Sequence, residues 1–168
     1  MLSNLKQPLS IVAAVLALLT CPMTANADTS GASSDSYTWS AELVALDESA
    51  GTAVVRSRTV NHANLEALAE LPDGDRVTIT WSGLTWGSGI RSITRGTASE
   101  ADRFNLPAEF VSSEMDGQYV TFRVPVPEEA LAKISSVEPG AWVTLTSPHR
   151  PAGWDEAVVD ARPYNDVS

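Results

Sequence analysis

Cysteine is almost absent from this chain of 168 residues, and its single copy is Cys21. That position lies in an amino-terminal segment with the features of a removable leader, so the mature chain is expected to hold no thiol. Disulfide bonds, zinc–thiolate sites and iron–sulfur clusters are then excluded. A domain of about 140 residues buries enough apolar surface to fold without a covalent cross-link.

Long apolar runs are also scarce. The longest, Ile11 to Leu19, is about half of the roughly 20 residues that a membrane-spanning helix needs. A lysine precedes this run, a proline follows it, and the small-residue motif Ala25-Asn26-Ala27 comes next. This order predicts a secretory signal peptide over residues 1–27, cleaved before Asp28, and a periplasmic or extracellular product with no membrane span.

Cys21 offers an alternative to simple cleavage. The segment Leu18-Leu19-Thr20-Cys21 loosely resembles a lipobox, in which the cysteine receives a lipid and becomes the first mature residue. Such sites favour Gly, Ala or Ser before the cysteine, and here a threonine precedes it and a proline follows it. The Ala-Asn-Ala motif is the better cleavage site, and a lipid anchor at Cys21 stays the alternative.

Positive charge is in short supply. The chain has 11 basic and 21 acidic residues, a net charge of −10, and loss of a leader containing Lys6 makes the mature balance one unit more negative. This charge disfavours nucleic acid and anionic membranes as partners. It is compatible with cations and basic partners, although solubility alone is the plainer explanation.

Chemistry-bearing motifs are equally sparse. The two histidines, His62 and His149, lie in different parts of the chain, and neither has a histidine or cysteine at metal-ligand spacing. Gly87-Ser88-Gly89 lacks the spacing of a G-x-S-x-G nucleophile elbow. The paired acids, such as Asp73 with Asp75, fall in predicted turns. We therefore expect no metal and no cofactor.

One pattern occurs twice. Residues 51–83 align with residues 117–149 at a constant offset of 66, with eight identities where composition alone predicts about two. The identical pairs are Gly51/Gly117, Val54/Val120, Val60/Val126, Leu65/Leu131, Gly74/Gly140, Val77/Val143, Thr78/Thr144 and Thr80/Thr146. One gap upstream extends the match to Ala41–Val44 and Ala108–Val111. We interpret this as a duplication, against chance similarity of two β-rich stretches.

Each copy has the same predicted order of elements. Alternating apolar and polar residues indicate two strands, a leucine-type stripe indicates a short helix, and a Pro-Gly or Pro-Asp-Gly turn leads into a third and fourth strand. In the second copy Pro127 is placed at the first helical position, and in the first copy Asn61 or Asn64 is the expected cap. The predicted strands are 38–46, 53–60, 76–82 and 89–95, then 108–113, 119–126, 141–147 and 157–162.

The segments Val124–Glu129 and Glu138–Val143, with their proline-led helix and Pro-Gly turn, resemble half of a cradle-loop barrel of the swapped-hairpin or double-psi type. The resemblance implies a mainly β (α+β) fold in which two ββαβ(β) units close one pseudo-two-fold barrel. It implies no function. Two small OB-like barrels in tandem are the alternative. The predicted organisation is a lead-in at 28–36, unit 1 at 37–100, unit 2 at 101–164 and a tail at 165–168.

Tryptophan supplies the candidate binding residues. Trp86 and Trp154 occupy equivalent linkers of the two copies and could stack on a sugar ring or an apolar side chain, with Trp81 close by. Arg91 and Arg95, two alternate positions apart on one predicted strand, could bind an anion. Ordinary packing is the alternative for the tryptophans, and charge balance is the alternative for the arginines.

These features favour an exported, soluble, non-enzymatic envelope protein that binds an unidentified ligand or envelope protein through the loops of its barrel. Two other hypotheses remain at this point. One is a hydrolase that uses Ser or Asp near His62 or His149, and the other is a purely structural envelope protein.

The cleavage prediction is tested by the intact mass of the exported protein. We expect the mass of a chain that starts at Asp28, and Cys21→Ser should leave that mass unchanged because residue 21 is removed with the leader. A product that starts at a lipid-modified Cys21, lost on Cys21→Ser, would contradict the prediction.

Overall fold

The computed structural model describes residues 35–81, 89–96, 104–116, 118–151 and 153–165. Strand, strand, helix, strand and strand follow one another twice, as the sequence predicts. The first set is β1 (Ser36–Asp47), β2 (Thr52–Arg58), α1 (His62–Leu68), β3 (Arg76–Trp81) and β4 (Ile90–Arg95). The second set is β5 (Asn105–Glu114), β6 (Tyr119–Pro125), α2 (Glu128–Ile134), β7 (Trp142–Pro148) and β8 (Asp160–Pro163).

The strands form because apolar side chains recur at every second residue and thus share one face. In β1 the buried positions are Tyr37, Trp39, Ala41 and Leu43, while the residues between them are more exposed. The other long strands follow the same rule, and their inward-facing residues join a single core cluster. This alternation gives the sheet an apolar inner face and a polar outer face.

Both helices add buried apolar side chains to this core. Leu65 and Leu68 of α1 and Leu131 and Ile134 of α2 are buried, as the leucine-type stripe predicts, and Ala130 of α2 is buried as well. Pro127 is the N-cap of α2, with φ −56° and ψ 147°, and not its first helical residue as predicted. The helix therefore begins one residue later, at Glu128. Among the described residues, no helix has the length and apolar character needed to cross a membrane.

The eight strands form one antiparallel sheet in the order β4-β3-β5-β6-β2-β1-β7-β8. Strands of the two halves are interleaved, since β1 pairs with β7 and β3 pairs with β5. For the residues that the structure describes, the alternative of two separate barrels in tandem is therefore wrong. The mainly β class is confirmed, whereas the closed barrel is not, because the sheet ends at β4 and β8 and is not closed.

The strand order has an internal regularity. If β1–β4 are exchanged with β5–β8 and the order is read from the other end, it is unchanged. The central β2–β6 pairing places Val55 opposite Phe122. On either side of it, the Thr59 N–H donates to Gln118 O at 2.8 Å and the Val126 N–H donates to Gly51 O at 2.9 Å. These two hydrogen bonds occupy corresponding places in the two halves.

The registers of the two hairpins also correspond, at a separation of 67 residues. Glu42 lies opposite Arg56 in β1–β2, and Glu109 lies opposite Arg123 in β5–β6. Both hairpins are irregular at the same place, between Leu43 and Ala45 and between Phe110 and Ser112. The offset between the two halves is therefore 67 residues in β2 and β6 and 66 residues from the helices to β3 and β7. The one-residue gap in the alignment lies after the second strand, so the predicted offset of 66 is wrong across β2 and β6.

This shift makes Gln118, and not Gly117, the counterpart of Gly51. Both residues have a left-handed backbone, with φ 66° at Gly51 and φ 55° at Gln118. Glycine adopts this conformation without strain, whereas a residue with a Cβ does so at a cost.

The fourth strand of the second half is shorter than predicted. Residues 154–156 form a 3₁₀ turn and Ala157 keeps a helical backbone, so β8 begins at Asp160 and not at Ala157. Ala157 and Val158 are nevertheless buried, which explains why their apolar character resembles that of a strand.

We expect Gln118→Gly to be more stable than Gln118→Ala by about 0.5–1 kcal/mol, because the left-handed strain exceeds the entropic cost of a new glycine. Gln118→Ala is the matched control, since both variants lose the same side-chain interactions and only alanine keeps the Cβ. Urea unfolding provides the measurement. A Gln118→Gly variant no more stable than Gln118→Ala would contradict the strain argument.

Candidate functional site

An aromatic cluster lies on the inner face of the sheet. Its members are Tyr37, Trp39, Trp81, Phe104, Phe122 and His149. The rings of Trp39 and Trp81 lie 5.0 Å apart although β1 and β3 are separated by three strands in the sheet order. The sheet must therefore curl until these two strands face each other across the core. Trp81, a predicted binding residue, is only 5% exposed.

The polar atoms of this cluster differ in how well they are satisfied. The Trp39 indole N–H donates to Ser147 Oγ at 2.9 Å, and the Tyr37 hydroxyl donates to the Asn105 carbonyl at 3.3 Å. Burial raises the pKa of Tyr37, and a hydrogen bond with Ser147 opposes this shift in part. By contrast, Trp81 Nε1 and His149 Nδ1 are buried without a hydrogen-bond partner.

The hydrolase hypothesis is tested at Ser147, which lies in β7, and at His149, which follows that strand directly. Ser147 is completely buried, and its hydroxyl oxygen already accepts the Trp39 N–H. The His149 ring packs against Tyr37 at 5.4 Å and Phe104 at 4.8 Å. A buried and engaged serine is a poor nucleophile, so this arrangement serves packing better than hydrolysis.

Phe104 supports the packing interpretation. Its φ of 64° is left-handed, which is rare for an aromatic residue. The ring contacts both Tyr37 and His149, at centroid distances of 5.3 Å and 4.8 Å. Burial in the cluster therefore offsets the backbone strain.

The outer face of the sheet carries two rows of side chains that run across neighbouring strands. In the first row, Arg76 of β3, Glu109 of β5 and Arg123 of β6 lie opposite one another in turn. Arg76 Nη2 lies 3.1 Å from Glu109 Oε1, and Arg123 Nη1 lies 3.0 Å from Glu109 Oε2. One carboxylate thus bridges two guanidinium groups.

Trp154 completes the first row. The guanidinium carbon of Arg76 lies 3.7 Å from the centroid of the Trp154 ring, close enough for a cation–π contact. Trp154, a predicted binding residue, is half-buried beneath this arginine. A ligand would have to displace Arg76 to reach that face of the indole.

The second row is built at the corresponding positions by Trp142 of β7, Glu42 of β1 and Arg56 of β2. Arg56 forms a two-pronged pair with Glu42, at 2.6 Å through Nη2 and 3.2 Å through Nε. This bidentate pairing raises the pKa of Arg56. Trp142 takes the place that Arg76 holds in the first row.

An exposed aromatic pair lies at the end of the second row. Trp142 is 48% exposed and Tyr164 is 36% exposed, and their ring centroids are 6.4 Å apart. The Tyr164 N–H donates to the Trp142 carbonyl at 3.0 Å, as the Gly96 N–H donates to Arg76 at 2.9 Å in the first row. Backbone pairing thus fixes both aromatic residues while leaving their rings open to solvent.

The remaining predicted site residues are not gathered into one place. Trp86 lies outside the described residues. Arg95 is exposed and forms an ion pair with Asp75 at 2.6 Å, so its charge is balanced, and Arg91 is exposed on the same strand. His62 begins α1. In the parts of the chain described, no group of three or more potential metal ligands occurs.

The chain matches no protein-family model, no curated protein and no solved structure. Function must therefore be inferred from the chain's own residues.

Trp142 and Tyr164 were missed as candidates, although the sequence carried a signal for one of them. Val143 and Leu145 are core-type residues at alternate positions of one strand, so the residue before Val143 must face the opposite way. Trp142 is that residue. The exposure of Tyr164 depends on where β8 ends. The sequence predicted this strand over residues 157–162, whereas β8 spans Asp160–Pro163.

The two core tryptophans provide a test of how the cluster is held. Trp39→Phe and Trp81→Phe remove similar ring surface, but only Trp39 loses a hydrogen bond. We expect Trp39→Phe to lower the free energy of unfolding by about 1 kcal/mol more than Trp81→Phe does. Urea unfolding of both variants measures the difference. Equal losses, or a larger loss at Trp81, would show that Trp81 Nε1 is satisfied in solution.

Proposed function

We propose that the mature domain is an exported, non-enzymatic binding protein of the cell envelope that binds its partner through the outer face of the sheet around Trp142. The leader features of residues 1–27 support export. The sequence predicted binding through loops, but the most favourable described surface is the strand-borne Trp142–Tyr164 pair.

The single observation that carries the proposal is this exposed aromatic pair. Large aromatic side chains are normally buried, and grouped exposure of apolar surface marks interaction sites. Tryptophan and tyrosine also contribute strongly to binding free energy where they are held rigidly. Trp142 meets this condition because it is paired with Glu42 of β1 and receives the hydrogen bond from Tyr164.

We further propose that the domain arose by duplication of a ββαβ(β) unit. The exchangeable strand order and the equal hairpin registers support this, as do the two matching rows on the outer face. After duplication, one row acquired Arg76 and the other acquired Trp142, which would give the two halves different surfaces.

The proposal is tested by calorimetric titration of the exported protein with three probes: a basic peptide, an acidic peptide and a neutral oligosaccharide. We expect saturable binding of at least one probe, weakened about tenfold or more by Trp142→Ala, because a rigid tryptophan often carries over 1.4 kcal/mol of binding free energy. Met115→Ala, which removes an exposed side chain from the β5–β6 turn, is the control and should bind normally.

Other outcomes would favour the other hypotheses. Hydrolysis of an ester or peptide substrate that His149→Ala abolishes would indicate an enzyme. Absence of any saturable binding, with Trp142→Ala indistinguishable from the parent protein, would contradict the binding proposal and favour a structural role.

A further inference from the structure

The two outer-face rows differ at one point that identifies a ligand class. Each has a glutamate at its centre, Glu109 or Glu42, with a side chain 19% exposed. Each also has an arginine on one side, Arg123 or Arg56. On the other side the first row has a guanidinium, at Arg76, and the second row has the exposed ring of Trp142.

The first row shows how this framework holds a guanidinium. Arg76 lies between a carboxylate at 3.1 Å and an indole face at 3.7 Å. These two contacts satisfy both properties of the group, since the carboxylate matches its charge and donors and the ring matches its flat face. The protein thus contains a bound guanidinium at one of the two corresponding positions.

The second row has the same kinds of partner without the guanidinium. Trp142 and Tyr164 provide aromatic faces, and Glu42 lies directly across from Trp142 on the neighbouring strand. Cross-strand neighbours on one face lie about 4.5–5.5 Å apart at Cβ, within reach of a single ligand group. Within the described part of the chain, Arg56 is the one cation paired with Glu42.

The surrounding charge also favours a cation. Arg56 also approaches Glu114 of β5 at 3.6 Å, on the side away from Trp142, so the charge of this one base is shared between two carboxylates. The net charge of the chain is −10, which attracts positively charged partners over longer distances. Both effects would repel an anionic ligand.

We infer that Trp142, Tyr164 and Glu42 form a subsite for an arginine side chain of a basic partner protein. The guanidinium stacks on the aromatic pair and donates to Glu42, for which Arg56 gives up one of its two hydrogen bonds to that carboxylate. Glu42 then bridges two guanidinium groups, as Glu109 bridges Arg76 and Arg123. This inference rests on the proposed binding function and specifies the chemistry of its partner.

The test is a titration of the exported protein with an arginine-containing peptide, Gly-Gly-Arg-Gly-Gly, and with its citrulline analogue, which keeps the shape but lacks the charge. We expect the arginine peptide to bind saturably and the citrulline peptide to bind about tenfold more weakly or not at all. Amide shifts in NMR spectra should locate the arginine peptide at Trp142, Tyr164 and Glu42.

Variants separate stacking from general attraction. Trp142→Arg copies the first row and should abolish binding, because it fills the subsite with the protein's own cation. Thr38→Arg adds the same charge at an exposed position elsewhere on β1 and should retain most of the affinity. Trp142→Phe keeps an aromatic face and should bind better than Trp142→Leu, which keeps only apolar surface.

The failures are distinguishable. If a neutral oligosaccharide binds and shifts the Trp142 signals while the arginine peptide does not, the guanidinium inference is wrong and the binding function stands. If no probe affects Trp142, both are wrong. If Trp142→Arg and Thr38→Arg weaken the arginine peptide equally, the attraction is unspecific and the subsite is overturned.

Discussion

The pairing of β2 with β6 is the contact on which the rest of this domain depends. It joins the two hairpins at the centre of the sheet, with Val55 opposite Phe122 and both side chains fully buried. Strands β1 and β5 are paired to the outer sides of this centre, and β7 and β3 follow. Each half therefore supplies strands that the other half needs to complete its apolar inner face.

This arrangement separates the two faces of the sheet by role. The inner face carries the large side chains that hold the fold, including the Trp39–Trp81 contact, and two buried polar atoms without a hydrogen-bond partner, Trp81 Nε1 and His149 Nδ1, belong to its aromatic cluster. The outer face carries ion pairs and exposed aromatic residues, whose replacement costs little packing. Variation at Arg76 or Trp142 can thus change the chemistry of this surface without disturbing the core.

Much of the fold could be predicted because its signals are local. Apolar patterning indicated the strands, although it placed the start of β8 three residues too early, and the stripe through Leu131 and Ile134 identified α2. The correspondence between Gly51 and Gln118 was missed because the alignment matched Gly51 with Gly117, whereas the hydrogen bonds on either side of the β2–β6 pairing put Gln118 at the corresponding position. The sheet's failure to close depends on the ends of β4 and β8, which no local pattern specifies.

The candidate site was harder to predict because its residues come from separate strands. Trp154 was a candidate from the sequence, but its contact with Arg76 joins residues far apart in the chain. The exposure of Trp142 was implied by its alternation with Val143, yet the neighbouring Glu42 was brought there only by the β1–β7 register. Spacing along the chain shows which way a side chain faces, but the residues opposite it follow from strand pairing.

The interleaved strand order also determines when the protein can fold. Ser36 in β1 pairs with Pro148 in β7, so the first strand stays without one neighbour until almost the whole domain is present. Contacts between such distant residues close large loops, which slows folding and leaves open strand edges in the meantime. During synthesis, which starts at the amino end, the sheet therefore stays incomplete until β7 has been made. Transport before folding is compatible with such a chain, because little of the final sheet can form early.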